Sequence, residues 1–112
     1  MTKIKIKDAT KKQLDYAAAM AHEWIKDGET WRDPNTRESI FDCFVPYRPT
    51  TNQAQCGELL DEFGISTEKS LTDWNAYVLG FGCIVYRDKS RLVAAVQAFL
   101  WEKNPSGMIE VE

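Results

Sequence analysis

Apolar residues along this chain switch between two periods, and the switches divide it into short strands and amphipathic helices. Ile4 and Ile6 alternate with lysines, so residues 3–7 read as a short half-buried strand. Thr10 followed by Gln13 is a capping-box pattern. Beyond it Leu14, Ala17, Ala18, Ala21, Trp24 and Ile25 recur at helical spacing on one face, which predicts a helix from Thr10 towards a stop at Gly28. The run from Asp27 to Ser39 is polar and holds Pro34 and Asn35, so a loop is expected there with Trp31 as its apolar anchor. Residues 40–45, IFDCFV, read as a mostly buried strand ended by Pro46.

Asn52 and Gln55 predict the cap of a second helix, in which Cys56, Leu59, Leu60 and Phe63 follow the i, i+3, i+4, i+7 pattern until Gly64. Ile65 to Ser70 is a weak strand candidate, Trp74 to Leu79 a stronger one and Cys83 to Tyr86 another, with Gly80, Phe81 and Gly82 joining the last two as a hairpin. A third helix starts near Ser90 and presents Leu92, Val93, Val96, Phe99 and Leu100 before Asn104 and Pro105 break it. Met108 to Val111 can return as a final edge strand. The resulting order, β-α-β-α-β-β-β-α-β, predicts an α+β fold: a mixed β-sheet with about three helices packed mainly on one face.

With 112 residues the chain fits one domain, 1–112, able to bury about 65% of its unfolded surface. Apolar residues at 44% and charged ones at 28% are ordinary for a globular protein, and no apolar run reaches the roughly 20 residues of a spanning helix. A basic N-terminus without an apolar segment behind it predicts a cytoplasmic protein that keeps clear of membranes. A net charge of −3 disfavours nucleic acid as a partner, because phosphate binding needs a concentrated Lys/Arg face. Lys3, Lys5, Lys7, Lys11 and Lys12 do cluster at the start, where alternate lysines keep an edge strand from pairing with other chains. The oligomeric state is open at this level.

Candidate chemistry is sparse. Cys43, Cys56 and Cys83 lie singly, without a C-x-x-C pair, so neither disulfides nor zinc is expected and the thiols are read as small core residues. His22 is the sole histidine and has no ligand at metal-binding spacing. Asp61 and Glu62 are adjacent on a helix and point apart, while Glu110 and Glu112 would meet solvent on one face of a strand. The glycines of GFG fit no nucleotide-binding motif. No catalytic residue, metal or cofactor is assigned.

One tract stands out. Residues 47–57, YRPTTNQAQCG, gather Tyr47, Arg48, Thr50, Thr51, Asn52 and Gln55 at a helix start. A helix N-terminus with its free N–H groups and positive dipole end can hold an anion, and these side chains would add donors. The competing reading has Tyr47 and Pro49 packing the loop while Thr50, Thr51 and Asn52 satisfy the backbone. The same tract resembles the Y-x-P-S-T-[DN]-W-x-Q-G-G motif of the NinX-like phage and prophage family of unknown function. MTKIKIKDATKKQLDYAAAMA is similar to that family's basic strand and alanine-rich helix, and RLVAAVQAFLWEKNPSGMIEVE to its last helix and acidic tail. Gln53 and Cys56 replace the family's Trp and first Gly, and Asp88, Lys89, Ser90 and Arg91 replace a Gly-x-Thr-Pro turn.

The resemblance implies a phage or prophage accessory protein of the bacterial cytoplasm. It names no reaction. Four tryptophans in a small chain, of which Trp31 and Trp101 are poor candidates for full burial, add the expectation of a non-enzymatic binder that meets a host or phage protein through an exposed aromatic surface. The alternative is a small-ligand module that binds a nucleotide or other anion at the tract.

Overall fold

A computed structural model describes residues 2–21, 25–27, 30–32, 48–78 and 86–111. It has the expected α+β class, with three helices among the described residues: α1 (Lys11–Ala21), α2 (Gln53–Phe63) and α3 (Arg91–Lys103). The strands are β1 (Thr2–Lys5), β2 (Ile25–Asp27), β3 (Thr30–Arg32), β4 (Ile65–Lys69), β5 (Trp74–Val78), β6 (Tyr86–Asp88) and β7 (Met108–Val111). Where the sequence pattern suggests one mixed sheet, the described strands form three antiparallel ladders: β1 with β7, β2 with β3, and β4–β5–β6 in order. Strands of three to five residues bury too little alone, and helices pack on the β1–β7 and β4–β5–β6 ladders to complete them.

Helix α3 is the hub. It packs against α1, α2, β4, β5 and β6 and against the 3-10 turn Ile6–Asp8. The sequence presents an apolar stripe of Leu92, Val93, Val96, Phe99 and Leu100, yet every residue from Val93 to Leu100 is buried and only Leu92 of the stripe is left half-buried. Ala94, Ala95 and Ala98 explain this, because a methyl side chain lets neighbours approach on the sides the stripe leaves open. A helix apolar nearly all round is a core helix. Ser90 caps it by accepting from the Val93 N–H at 3.3 Å, and Asp88 in turn accepts from the Ser90 N–H at 2.8 Å. Asp88 and Ser90 thus supply the cap of α3.

Other local expectations hold for stated reasons. Thr10 and Gln13 cap α1 reciprocally, Thr10 N–H to Gln13 Oε1 at 2.9 Å and Gln13 N–H to Thr10 Oγ1 at 3.2 Å. Gly64 ends α2 in the left-handed region at φ 66°, a conformation that favours glycine, and its N–H donates to Leu60. Arg91 ties α3 to the three-stranded ladder through Thr67 Oγ1 at 2.9 Å and lies over the Trp74 ring at 5.8 Å. Leu14, Ala17, Ala18, Cys56, Leu59, Ile65, Ala76, Val78, Ile109 and Val111 join the same core cluster.

Three expectations need correction. The first helix does not continue through Ile25: α1 ends at Ala21 among the described residues, and Ile25 pairs with Arg32 in a hairpin ladder. A glycine after an aspartate serves a helix stop and a hairpin equally well, so Asp27 and Gly28 do not discriminate between them. For the same reason Thr30–Arg32, expected within a loop, is a strand. At the N-terminus β1 stops at Lys5, and Ile6 turns inward to full burial in a turn closed by Ala9 N–H to the Ile6 carbonyl at 3.2 Å. The expected strand at 40–45, the loop 33–39, His22, Trp24, Tyr47, the GFG turn and residues 83–85 lie outside the described residues, as do Cys43 and Cys83.

Candidate functional site

The start of α2 is built from the backbone outward. Asn52 is the N-cap, and its Oδ1 accepts from the Gln55 N–H at 3.1 Å. Gln55 reaches back along the chain, its Oε1 accepting from the Arg48 N–H at 2.7 Å. The Arg48 carbonyl accepts from the N–H groups of Thr51 at 3.0 Å and Asn52 at 2.7 Å, and from the Thr51 hydroxyl at 3.3 Å. These bonds close the approach to the helix into a turn that needs no outside partner to hold its shape.

Thr50 points the other way. It is buried, and both its N–H and its hydroxyl donate to one carboxylate, Asp15 of α1: N–H to Oδ1 at 3.0 Å and Oγ1 to Oδ2 at 3.0 Å. Nothing in the sequence singles out this aspartate, which lies 35 positions from its partner. The one available sign is its place on α1, next to Leu14 and one turn before Ala19, so that it borders a buried face. Burial raises the Asp15 carboxyl above its ordinary value, against the two Thr50 hydrogen bonds and the positive charges of Arg48 and Lys11, which lower it. Both Thr50 donors are thus occupied by a carboxylate belonging to the protein itself.

Of the six residues singled out by sequence, the structure brings Arg48, Thr50, Thr51, Asn52 and Gln55 together, and Tyr47 is outside the described residues. Thr51 and Asn52 are exposed, Gln55 is half-buried, and Arg48 is exposed while its backbone is fastened on both sides. Further along α2, Cys56 is fully buried, donates weakly to the Leu92 carbonyl at 4.0 Å and has its thiol pushed up to about 11 by burial. A thiol in that position is protonated at neutral pH and packs as a small apolar group. Among the described residues no cluster of three or more His, Cys, Asp or Glu is placed to hold a metal, and no helix is long and apolar enough to cross a membrane. Trp101, expected to escape full burial, is half-buried against the core. No family model matches this chain, and no curated protein matches it.

Proposed function

We propose that this chain is a small non-enzymatic binding protein that acts on another protein, with Arg48 at the start of α2 as its principal contact. The observation that carries the reading is how Arg48 is held. Its N–H and carbonyl are both engaged by the turn that leads into α2, while the residue itself remains exposed. A cation presented from a fixed backbone loses less freedom on meeting a partner carboxylate than one on a loose loop. The resemblance of residues 47–57 to the NinX-like motif supports a host or phage protein as the partner and the bacterial cytoplasm as the setting. Nucleotide or anion binding at the same place is the competing reading, and the charge of Asp15 beside Thr50 opposes it.

The test compares wild type with Arg48→Ala in two assays, quantitative capture from a bacterial host lysate and titration with a nucleotide panel. The proposal expects a captured protein that Arg48→Ala loses, with flat nucleotide titrations for both proteins and unchanged thermal stability. Identical behaviour of the two proteins in both assays would sink the assignment of Arg48, and a nucleotide isotherm lost with Arg48 would favour the competing reading.

A further inference from the structure

We propose a second interaction surface, independent of Arg48: the outer edge of β1 is a docking edge for an acidic strand of a partner protein. In the β1–β7 ladder α1 packs on β7, whose Ile109 and Val111 are buried. β1 is the more exposed strand, with Thr2, Lys3 and Lys5 exposed and Ile4 half-buried. The phase of the ladder follows from one bond. Ile6 N–H donates to the Gly107 carbonyl at 2.9 Å, and the register carries that phase to Ile4↔Ile109 and Thr2↔Val111. In an antiparallel ladder alternate residues face alternate neighbours, so the N–H and C=O groups of Lys3 and Lys5 point away from β7. Among the described residues those groups have no backbone partner.

An open row of N–H and C=O groups is matched by another extended peptide backbone, which singles out a strand over a nucleic acid or a lipid surface. The side chains then select which strand. Lys3 and Lys5 stand about 7 Å apart on the solvent face, with Ile4 between them on the inner face. A complementary strand therefore reads acidic, apolar, acidic. The protein already contains one instance of this match, Glu110 of β7 opposite Lys3. Two β1 outer edges paired antiparallel in full overlap set lysine against lysine, which is destabilising. The lysines thus disfavour pairing of two β1 edges and admit an acidic strand.

The test uses the full chain and a short synthetic peptide of alternating Glu and Val, with an alternating Lys and Val peptide as control. Binding is followed by amide chemical shifts and fluorescence anisotropy. The proposal expects the acidic peptide to bind with the largest shifts at the Lys3 and Lys5 amides, and the basic peptide to fail. Lys5→Glu, which leaves the Lys3↔Glu110 pair in place, should weaken the acidic peptide by about tenfold or more. N-methylation of alternate peptide amides should abolish binding without any change to the protein. Equal binding of the N-methylated peptide would reduce the effect to charge attraction and overturn strand addition. Shifts centred away from β1, or dimerisation that Lys5→Glu removes, would overturn it too. Arg48→Ala should bind the peptide as wild type does, and its loss of binding would merge this surface with the α2 start and contradict the proposal.

Discussion

The start of α2 and the outer edge of β1 are both polar, and the fold uses their polar groups in opposite ways. At the start of α2 the side chains of Asn52, Gln55, Thr51 and Thr50 turn onto backbone or onto Asp15, so a tract that reads as a binding site is largely absorbed in shaping the turn into α2 and fastening it to α1. At β1 the alternation that reads as a bland protective pattern leaves backbone groups without a partner among the described residues and lysines in solvent. Density of polar residues is therefore a poor guide to binding. What decides is whether a partner within the chain lies in reach, and for Thr50 that partner comes from a different helix.

Helix α3 packs against α1, α2 and the turn that follows β1, and the largest expected effect falls there. Phe99 is fully buried, with its ring 4.7 Å from that of Phe63. Phe99→Ala should lower stability by about 3 to 5 kcal/mol in denaturant unfolding. A loss under about 1 kcal/mol would mean α3 is not the hub. Next in size is the clamp between α1 and α2. Asp15→Ala strips two donors of their acceptor and should cost about 1 to 3 kcal/mol, towards the lower end because Asp15 is only half-buried. A silent Asp15→Ala would break the contrast between the two regions. The cap alone is worth less, and Asn52→Ala should cost roughly 0.5 to 2 kcal/mol.

What could be read from the sequence divides along the same line. Features set by neighbours in the chain were legible: the Thr10–Gln13 box, the Asn52 cap and the glycine stop at Gly64. Features set by distant contacts were not. Asp15 looks like any solvated helix residue until Thr50 is set beside it, and α3 looks one-sided because alanine is ambiguous between a buried and an exposed face. Gln97 is the sharpest case. It is 4% exposed within α3, and its Oε1 has no hydrogen-bond partner among the described residues. An apolar residue of similar shape removes that burden, so Gln97→Met should leave stability unchanged or raise it.

A smaller effect separates charge from hydrogen bonding at the clamp. Because burial raises the Asp15 carboxyl in the folded protein, its protonated form is the one folding favours. The stability this group contributes is complete below the ordinary carboxylate value and is lost as pH rises through the raised folded value. Asp15→Asn keeps the shape and an acceptor for the Thr50 N–H. It should be at least as stable as wild type at neutral pH, with the difference closing as pH falls through that window in a series of denaturant titrations. If Asp15→Asn instead lowered stability at neutral pH, the ionised carboxylate would be what holds the clamp. The smallest effects belong to the exposed side chains: Lys5→Ala and Arg48→Ala should each stay within about 0.5 kcal/mol of wild type.

Both halves of the comparison meet in one measurement, native-state amide hydrogen exchange resolved by residue. Exchange reports whether each N–H is held within the fold or open to solvent. The Thr50 and Gln55 amides, accepted by Asp15 and Asn52, should be protected, and so should Ile4 and Ile6 on the β7 side of β1. Lys3 and Lys5, whose amides face outward, should exchange close to the rate of an unstructured chain. A Thr50 amide exchanging as fast as that of Lys5, or Lys3 and Lys5 protected as well as Ile4, would contradict the account.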